Sequence, residues 1–251
     1  MAVAWKAAFD TLGESLAELA LPRVCVACER PVTSPGLVCG PCWARLPAMP
    51  YPRCDRCGHP TGARRCRWCE LLPPYVRAAR SVCWERADTV AQAIVHALKY
   101  GGWPAIADEI GARMAQLSWP DDVRQERSAV VPVPLGATRL RERGYNQSDL
   151  LARALASRWN VPVWTDVLTR TRETSSQTRL TPEERLGNVS GAFRATVSAR
   201  FKLRRAHVVL IDDVVTTAST LNACAAALFD GGARVLSYVT FARAPAAGDR
   251  G

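Results

Sequence analysis

Apolar and polar positions alternate along this chain in two distinct rhythms. "ARSVCWE" (79–85), "SAVVPVP" (128–134), "HVVLID" (207–212) and "RVLSYVTFAR" (234–243) are short, nearly continuous apolar runs rich in valine, which predicts buried strands. Between them, "DTVAQAIVHALKY", "PAIADEIGARMAQL", "NQSDLLARALASRW" and "STLNACAAALFDGG" place apolar residues at helical spacing. Asn146 or Ser148 is the expected cap of the third helix. Strands alternating with helices predict an α/β fold, a parallel sheet flanked by helices on both faces. A short helix is expected at "PEERLGNV" (182–189), whereas residues 169–181 are polar and show no periodicity.

The first third of the chain follows neither rhythm. Residues 1–21 place Trp5, Phe9, Leu12, Leu16 and Leu19 on one helical stripe, an amphipathic helix expected to pack on the body. Asp10, Glu14 and Glu18 interrupt it as a signal peptide and make its polar face acidic, which disfavours a membrane-surface helix. No apolar run reaches the length of a membrane span, so no membrane partner and a cytoplasmic location are expected. The residues beyond 244, "APAAGDRG", are expected to be disordered.

Charge narrows the partners. The 251 residues carry 33 Lys and Arg against 23 Asp and Glu, a formal +10, which favours an anionic partner: nucleic acid, a phosphorylated metabolite or a membrane surface. From Arg23 to Arg80 ten arginines face three acids, so +7 of that excess lies in the N-terminal third.

Eight of the ten cysteines in the chain form four Cys-x-x-Cys pairs: Cys25/Cys28, Cys39/Cys42, Cys54/Cys57 and Cys66/Cys69. Each pair presents two thiolates from one knuckle, and two knuckles complete a tetrahedral shell, so two structural zinc ions are expected, paired in sequence order. Gly40 and Gly58 suit the tight backbone of such knuckles. "CGPC" (39–42) also matches a redox tetrapeptide, but three further pairs in a proline-rich stretch favour metal. The segment is too poor in aliphatic residues to build its own core, so zinc would supply folding energy. A second role is contact with nucleic-acid phosphates through Arg30, Arg45, Arg53, Arg56, Arg64, Arg65 and Arg67. Trp43 and Trp68 are then either stacking platforms for bases or, the favoured expectation, packed against their ribbons. His59 is expected to face solvent, and Cys83 and Cys224 to be inert buried residues.

In an open parallel sheet, ligands bind beyond the carboxyl ends of the strands. "VVLIDDVVTTASTLNA" (208–223) ends a strand with Asp212 and Asp213, then offers Thr216, Thr217, Ser219 and Thr220 at a helix N-terminus. Carboxylates there can accept from vicinal ribose hydroxyls, and the amides and hydroxyls suit a phosphate. A plain helix cap with solvated acids fits the same residues equally well.

That stretch resembles the phosphoribosyl-pyrophosphate (PRPP) binding motif of type I phosphoribosyltransferases. With the paired "CxxC" motifs, "LKYGG", "VVPVPLGATRLRERGYNQSDLLARAL" and "RTRETSSQTRLTPEERLGNVSGAF", the chain is similar to the ComF (competence protein F) family over nearly its whole length. The resemblance implies a type I phosphoribosyltransferase-like sheet (73–244) behind a double zinc ribbon (22–72). It implies that Asp212 and Asp213 hold the ribose hydroxyls, with Thr216, Thr217, Ala218, Ser219 and Thr220 around the 5′-phosphate. Arg139, Arg143, Asn146 and Gln147 would lie near pyrophosphate, with residues 170–185 as a mobile lid. Lys99 and Tyr100 belong to its "KYxG" pattern, and a helix end is the plain account of them. Ala218 departs from the glycine usual there, which matters if the backbone needs a positive φ.

The resemblance implies natural transformation as context, with PRPP or a related sugar phosphate and single-stranded DNA as ligands. Three functions are expected to compete. One is action on incoming single-stranded DNA. Another is phosphoribosyl transfer from PRPP with Mg²⁺, Arg139, Arg143 and Arg172 being the candidates for stabilising departing charge. The last is a scaffold, with a helicase of the uptake machinery as its partner.

Overall fold

The computed structural model describes residues 23–32, 35–61, 66–172 and 191–245. The expected N-terminal helix, the helix at 182–189, most of the lid and the tail beyond 245 fall outside these residues. The chain runs α1 (Gly40–Ala44), α2 (Arg67–Glu70), β1 (Val76–Trp84), α3 (Val90–Lys99), α4 (Ile106–Ala115), α5 (Asp121–Glu126), β2 (Arg127–Pro132), α6 (Ala137–Arg143) and α7 (Gln147–Trp159). It continues through β3 (Leu168–Arg170), β4 (Phe193–Ala195), α8 (Arg200–Leu203), β5 (His207–Val215), α9 (Ser219–Asp230) and β6 (Val235–Arg243).

The four predicted apolar runs form one parallel sheet in the order β1-β6-β5-β2. Because side chains alternate across a strand, β5 feeds two cores. Val209 and Ile211 pack with α3, α4 and α7 on one face, while Val208 and Leu210 pack with α9 and the β3–β4 hairpin on the other. All four are fully buried, each stabilising the fold by about 1.5–3 kcal/mol. Close approach of α4 to α7 depends on Gly111, where a Cβ would stand 2.5 Å from Ala154 Cβ. The polar stretch from 169 onward opens with β3, paired antiparallel with β4; three residues are too few for a period-2 pattern to show.

The two ribbons divide between the faces of the sheet. Cys25, Val38 and Cys42 join the α3–α4–α7 core, and Cys57, Trp68 and Leu72 join the α9 core. Their knuckles are built alike: Glu29 N donates to Cys25 O and Gly58 N to Cys54 O, both at 2.8 Å. Both residues have positive φ, 60° at Glu29 and 68° at Gly58. A side chain at Gly58 would also meet Ala79 O at 3.1 Å, so glycine is required there. Gly40 is different: it opens α1 with open space around it.

Several expectations for the ribbons change. His59 is 7% exposed, stacked on Trp68 and tilted against Trp84, because the ribbon folds it onto β1. Trp68 is 3% exposed and covered by the Arg243 guanidinium at 4.0 Å, so it offers no face to a base. Trp43 packs in the core shared by the first ribbon and the sheet domain, edge-on to Phe241 and under the Arg113 guanidinium at 3.3 Å. Glu109 on α4 accepts from Trp43 Nε1 and from Leu37 N, docking the first ribbon with both oxygens. Cys83 and Cys224 are buried, and burial pushes both thiols up. Among the described residues no helix is long and apolar enough to cross a membrane.

Candidate functional site

Each set of four cysteines converges on one point. Cys25, Cys28, Cys39 and Cys42 form one group and Cys54, Cys57, Cys66 and Cys69 the other, with the sulfur atoms of each within 4.8 Å of one another. Tetrahedral zinc with bonds of about 2.3 Å would space its sulfurs by about 3.8 Å. Cys28 and Cys39 stand 3.8 Å apart, and Cys54–Cys69 and Cys57–Cys66 3.4 Å apart. The donor sets fit two structural zinc ions, paired in sequence order.

The ribbon arginines have diverse employment. Arg56 donates to Val76 O and Pro73 O at 2.8–3.0 Å, stitching the second ribbon to the start of β1. Its guanidinium is thereby committed to backbone carbonyls rather than presented to phosphates. Arg53 lies over the Tyr51 ring at 3.7 Å, and Arg67 is exposed. Arg30 and Arg45 are exposed too, with Arg45 Nη2 3.4 Å from Cys42 Sγ. Arg64 and Arg65 lie outside the described residues.

The second centre is a cleft of about 830 Å³ beyond the carboxyl ends of the parallel strands. Asp212, Asp213 and residues 216–220 line it from the end of β5 and the start of α9, and Arg139 and Arg143 line it from α6. Arg172 is exposed and absent from the lining; Arg170, two residues earlier, takes the place on the wall. The spacing of β3 decides this, since Arg170 pairs with Phe193 at the mouth while Arg172 has left the strand.

Asp212 Oδ1 accepts from Ser148 Oγ at 2.8 Å and from Asp213 N at 3.0 Å. Burial and then the neighbouring Asp213 charge push its carboxyl up to about 7, with Lys99 and Ser148 opposing. Asp213 is 3% exposed and pairs with Lys99 Nζ at 2.6 Å. For Lys99, burial lowers the affinity for a proton, but the Asp213 charge outweighs it and the ammonium is held above its usual range. Lys99 is thus the counter-ion of the acid pair as well as a helix end. Its role was only partly legible: Asp213 shares parity with the buried Val209 and Ile211, so a cation from the helix on that face was required. Glu85, at the end of β1, also lines the cleft, and burial raises its carboxyl. No sequence motif marks it; only the pairing of β1 with β6 brings it there.

Across the cleft, Arg143 donates to Gln147 Oε1 and lies 4.9 Å from the centre of the Tyr100 ring. Asn146 caps α7, accepting from Ser148 N at 3.1 Å while its Nδ2 donates to Val133 O. Asn146 therefore holds the loop, and Arg139 and Arg143 remain its cationic groups facing the cleft.

Ala218 adopts φ 59° and ψ 9°, so this turn does require a left-handed residue. The residue is 4% exposed and packs in the α9 core, with the turn that carries it lining the cleft. The alanine strains the backbone without filling the cleft. Thr217 Oγ1 and Ser219 Oγ stand 2.7 Å apart, and the first amides of α9 lack partners within the helix.

Comparison with known proteins follows the same division of the chain. Residues 16–72 match the double zinc ribbon domain and residues 103–250 the phosphoribosyl transferase domain. The DNA utilization protein YhgH of Escherichia coli (strain K12) is 31% identical over 232 residues, covering 86% of this chain and 94% of that one. Competence protein F of Haemophilus influenzae is 32% identical over 199 residues, 74% of this chain and 81% of the relative. The chain belongs to the ComF/YhgH family. Among solved structures, glutamine PRPP amidotransferase from B. subtilis overlaps 62% of this chain and 29% of its own, with 20% identity and a TM-score of 0.37. The ComF/YhgH assignment rests on the two domain matches and the full-length relatives. β1, which precedes the matched transferase region, is nonetheless part of the same sheet.

Proposed function

We propose that the cleft binds a 5-phosphorylated pentose of the PRPP type, and that the chain works on single-stranded DNA in DNA utilization or uptake. One observation carries the first part: the acid pair, the hydroxyl-rich turn of residues 216–220, Arg139 and Arg143 all open onto one cleft. On this reading Asp212, the more exposed of the two carboxylates, meets the ribose hydroxyls, alone or with Mg²⁺. The turn around Ala218 receives the 5′-phosphate at the helix N-terminus, and Arg139 and Arg143 face the pyrophosphate. The ribbon spans 22–72 and the sheet domain 73–244. The names of the relatives, DNA utilization protein and Competence protein F, support the second part, as does the net charge of +10.

A second reading is phosphoribosyl transfer. The cleft volume and the intact acid pair favour it. In that reaction the bond from C1 of the ribose to pyrophosphate oxygen breaks, its electron pair leaves with pyrophosphate, and an acceptor forms the new bond to C1. This chain's residues would position the pentose and stabilise the departing charge, with Mg²⁺ supplying further charge neutralisation.

Calorimetry with PRPP and Mg²⁺ at pH 8 tests the site. Binding that weakens at least tenfold in Asp212→Asn is expected, and equal heats from the two proteins would remove the proposal. Release of pyrophosphate with candidate acceptors tests transfer, and gel shifts with single strands across a salt series test the DNA role.

A further inference from the structure

The two most exposed large apolar side chains among the described residues lie four positions apart, Val197 at 91% and Phe201 at 94%. Around them, residues 194–205 carry Arg194, Arg200, Lys202, Arg204 and Arg205 and no acid. All five cations are exposed. Lys202 is offset by Asp166, whose two oxygens its Nζ reaches at 2.7 and 2.9 Å; four exposed arginines remain in the segment that carries Phe201. Arg205 adopts φ 60°, a conformation glycine would hold without strain, yet the chain places a cation there.

The patch belongs to no site described above. It leads into His207 at the start of β5, whereas the cleft lies beyond Asp212 at the other end of that strand, about 16 Å further along. It is also remote in sequence from the zinc ribbons.

We infer that this patch is a docking surface for single-stranded nucleic acid, with Phe201 stacking on an unpaired base and Arg194, Arg200, Arg204 and Arg205 neutralising flanking phosphates. The inference rests on the DNA role proposed above and gives it a location. A wholly solvated phenyl ring costs solubility and adds nothing to the core, since Ala199 and Leu203 already anchor the segment. Cations in this density select an anion. The ring selects the kind: base stacking on an aromatic stabilises binding by about 1–3 kcal/mol and needs a base that is not already stacked in a duplex. An anionic membrane fits less well, because α8 is a four-residue helix with one apolar side chain facing outward, too short to lie in an interface.

Anisotropy with a labelled single strand of about 16 nucleotides, its duplex, and vesicles of anionic lipid tests this on the full-length zinc-loaded chain. Wild type is expected to prefer the single strand. Phe201→Ala should weaken that binding about tenfold and erase the preference over duplex. The triple substitution of Arg200, Arg204 and Arg205 by alanine should lower the slope of log affinity against log salt by about 2. PRPP heats and melting temperature should stay at wild-type values in both variants, since the residues are exposed. If wild type binds single strands and neither variant changes, this inference falls while the DNA role stands. If wild type binds no single strand at low salt, both fall. Binding to vesicles alone, lost in Phe201→Ala, would overturn the inference in favour of a lipid surface.

Discussion

Lys99 Nζ lies 2.6 Å from Asp213 Oδ2, tying the last turn of α3 to the end of β5 at the floor of the cleft. Asp213 is nearly inaccessible to water, so its charge depends on that lysine. Lys99→Met would leave a buried carboxylate unpaired, and a loss of about 3 kcal/mol is expected. Denaturant unfolding of the variant and the wild type at pH 8 should show it. An unchanged unfolding free energy in Lys99→Met would argue against the pair as a source of stability.

Two buried groups give stability opposite pH slopes. Asp212 is raised from 3.8 to about 7, so its contribution is full below about 4 and is lost as pH rises through 7. His207 is lowered from 6.5 to about 4 by burial, with Nε2 2.9 Å from Ser237 Oγ; its contribution is full above 6.5 and is lost as pH falls to 4. Relative to wild type, Asp212→Asn should melt higher at pH 8, with the difference vanishing near pH 4. His207→Asn should gain on wild type as pH falls from 6.5 to 4. Melting curves across that range check both, and parallel profiles would refute the assignment.

The strained turn at Ala218 supports a third expectation. Ala218→Gly relieves about 1–2 kcal/mol of left-handed strain but removes a buried methyl and frees the unfolded chain, each by about 0.5–1 kcal/mol. The net change in stability should therefore stay within about 0.5 kcal/mol of zero. PRPP affinity should change by less than about threefold, because Ala218 is almost wholly buried against the α9 core. A tenfold gain in affinity would mean that alanine had disabled the site, which favours the scaffold role.

Metal removal should be felt in the sheet domain. Arg243 Nη2 donates to Cys57 O, Arg56 ties the ribbon to β1, and Asn222 Nδ2 donates to Leu71 O at the base of α9. A strong chelator is expected to release two zinc ions per chain, lower the melting temperature by about 10 °C or more, and change the fluorescence of the tryptophans on His59 and Phe241. Zinc release without any shift in melting would show that the ribbons fold independently of the sheet.

Much of the architecture was legible because the relevant periodicities are local. Valine-rich runs of six to ten residues can only be buried strands when helices separate them, and paired cysteines specify metal through spacing alone. The acid pair and hydroxyl-rich turn were visible for the same reason, since one turn of chain holds them all. Asn146 as the cap of α7 was within reach of local reasoning, and the structure places it there.

Several individual side chains were misread because their roles depend on what lies opposite them. His59 looked solvent-facing because a lone histidine in a polar ribbon carries no periodicity, yet two tryptophans bury it. Arg56 looked like a phosphate contact, and the carbonyls it binds belong to residues 17 and 20 positions away. The difference between Arg172 and Arg170 at the cleft turned on a three-residue hairpin too short to predict.

From its residues alone, this chain determined the four strands of its parallel sheet, the long helices between them, the membership of its two four-cysteine clusters and the acid- and hydroxyl-rich turn after β5, all of which are set by spacing within a few tens of residues. The tertiary structure alone decided that Lys99 answers Asp213, that each ribbon docks on a different face of the sheet, and that Phe201 stands exposed. Those outcomes follow from long-range packing, in which a side chain's burial and charge state are fixed by neighbours that the local pattern does not name.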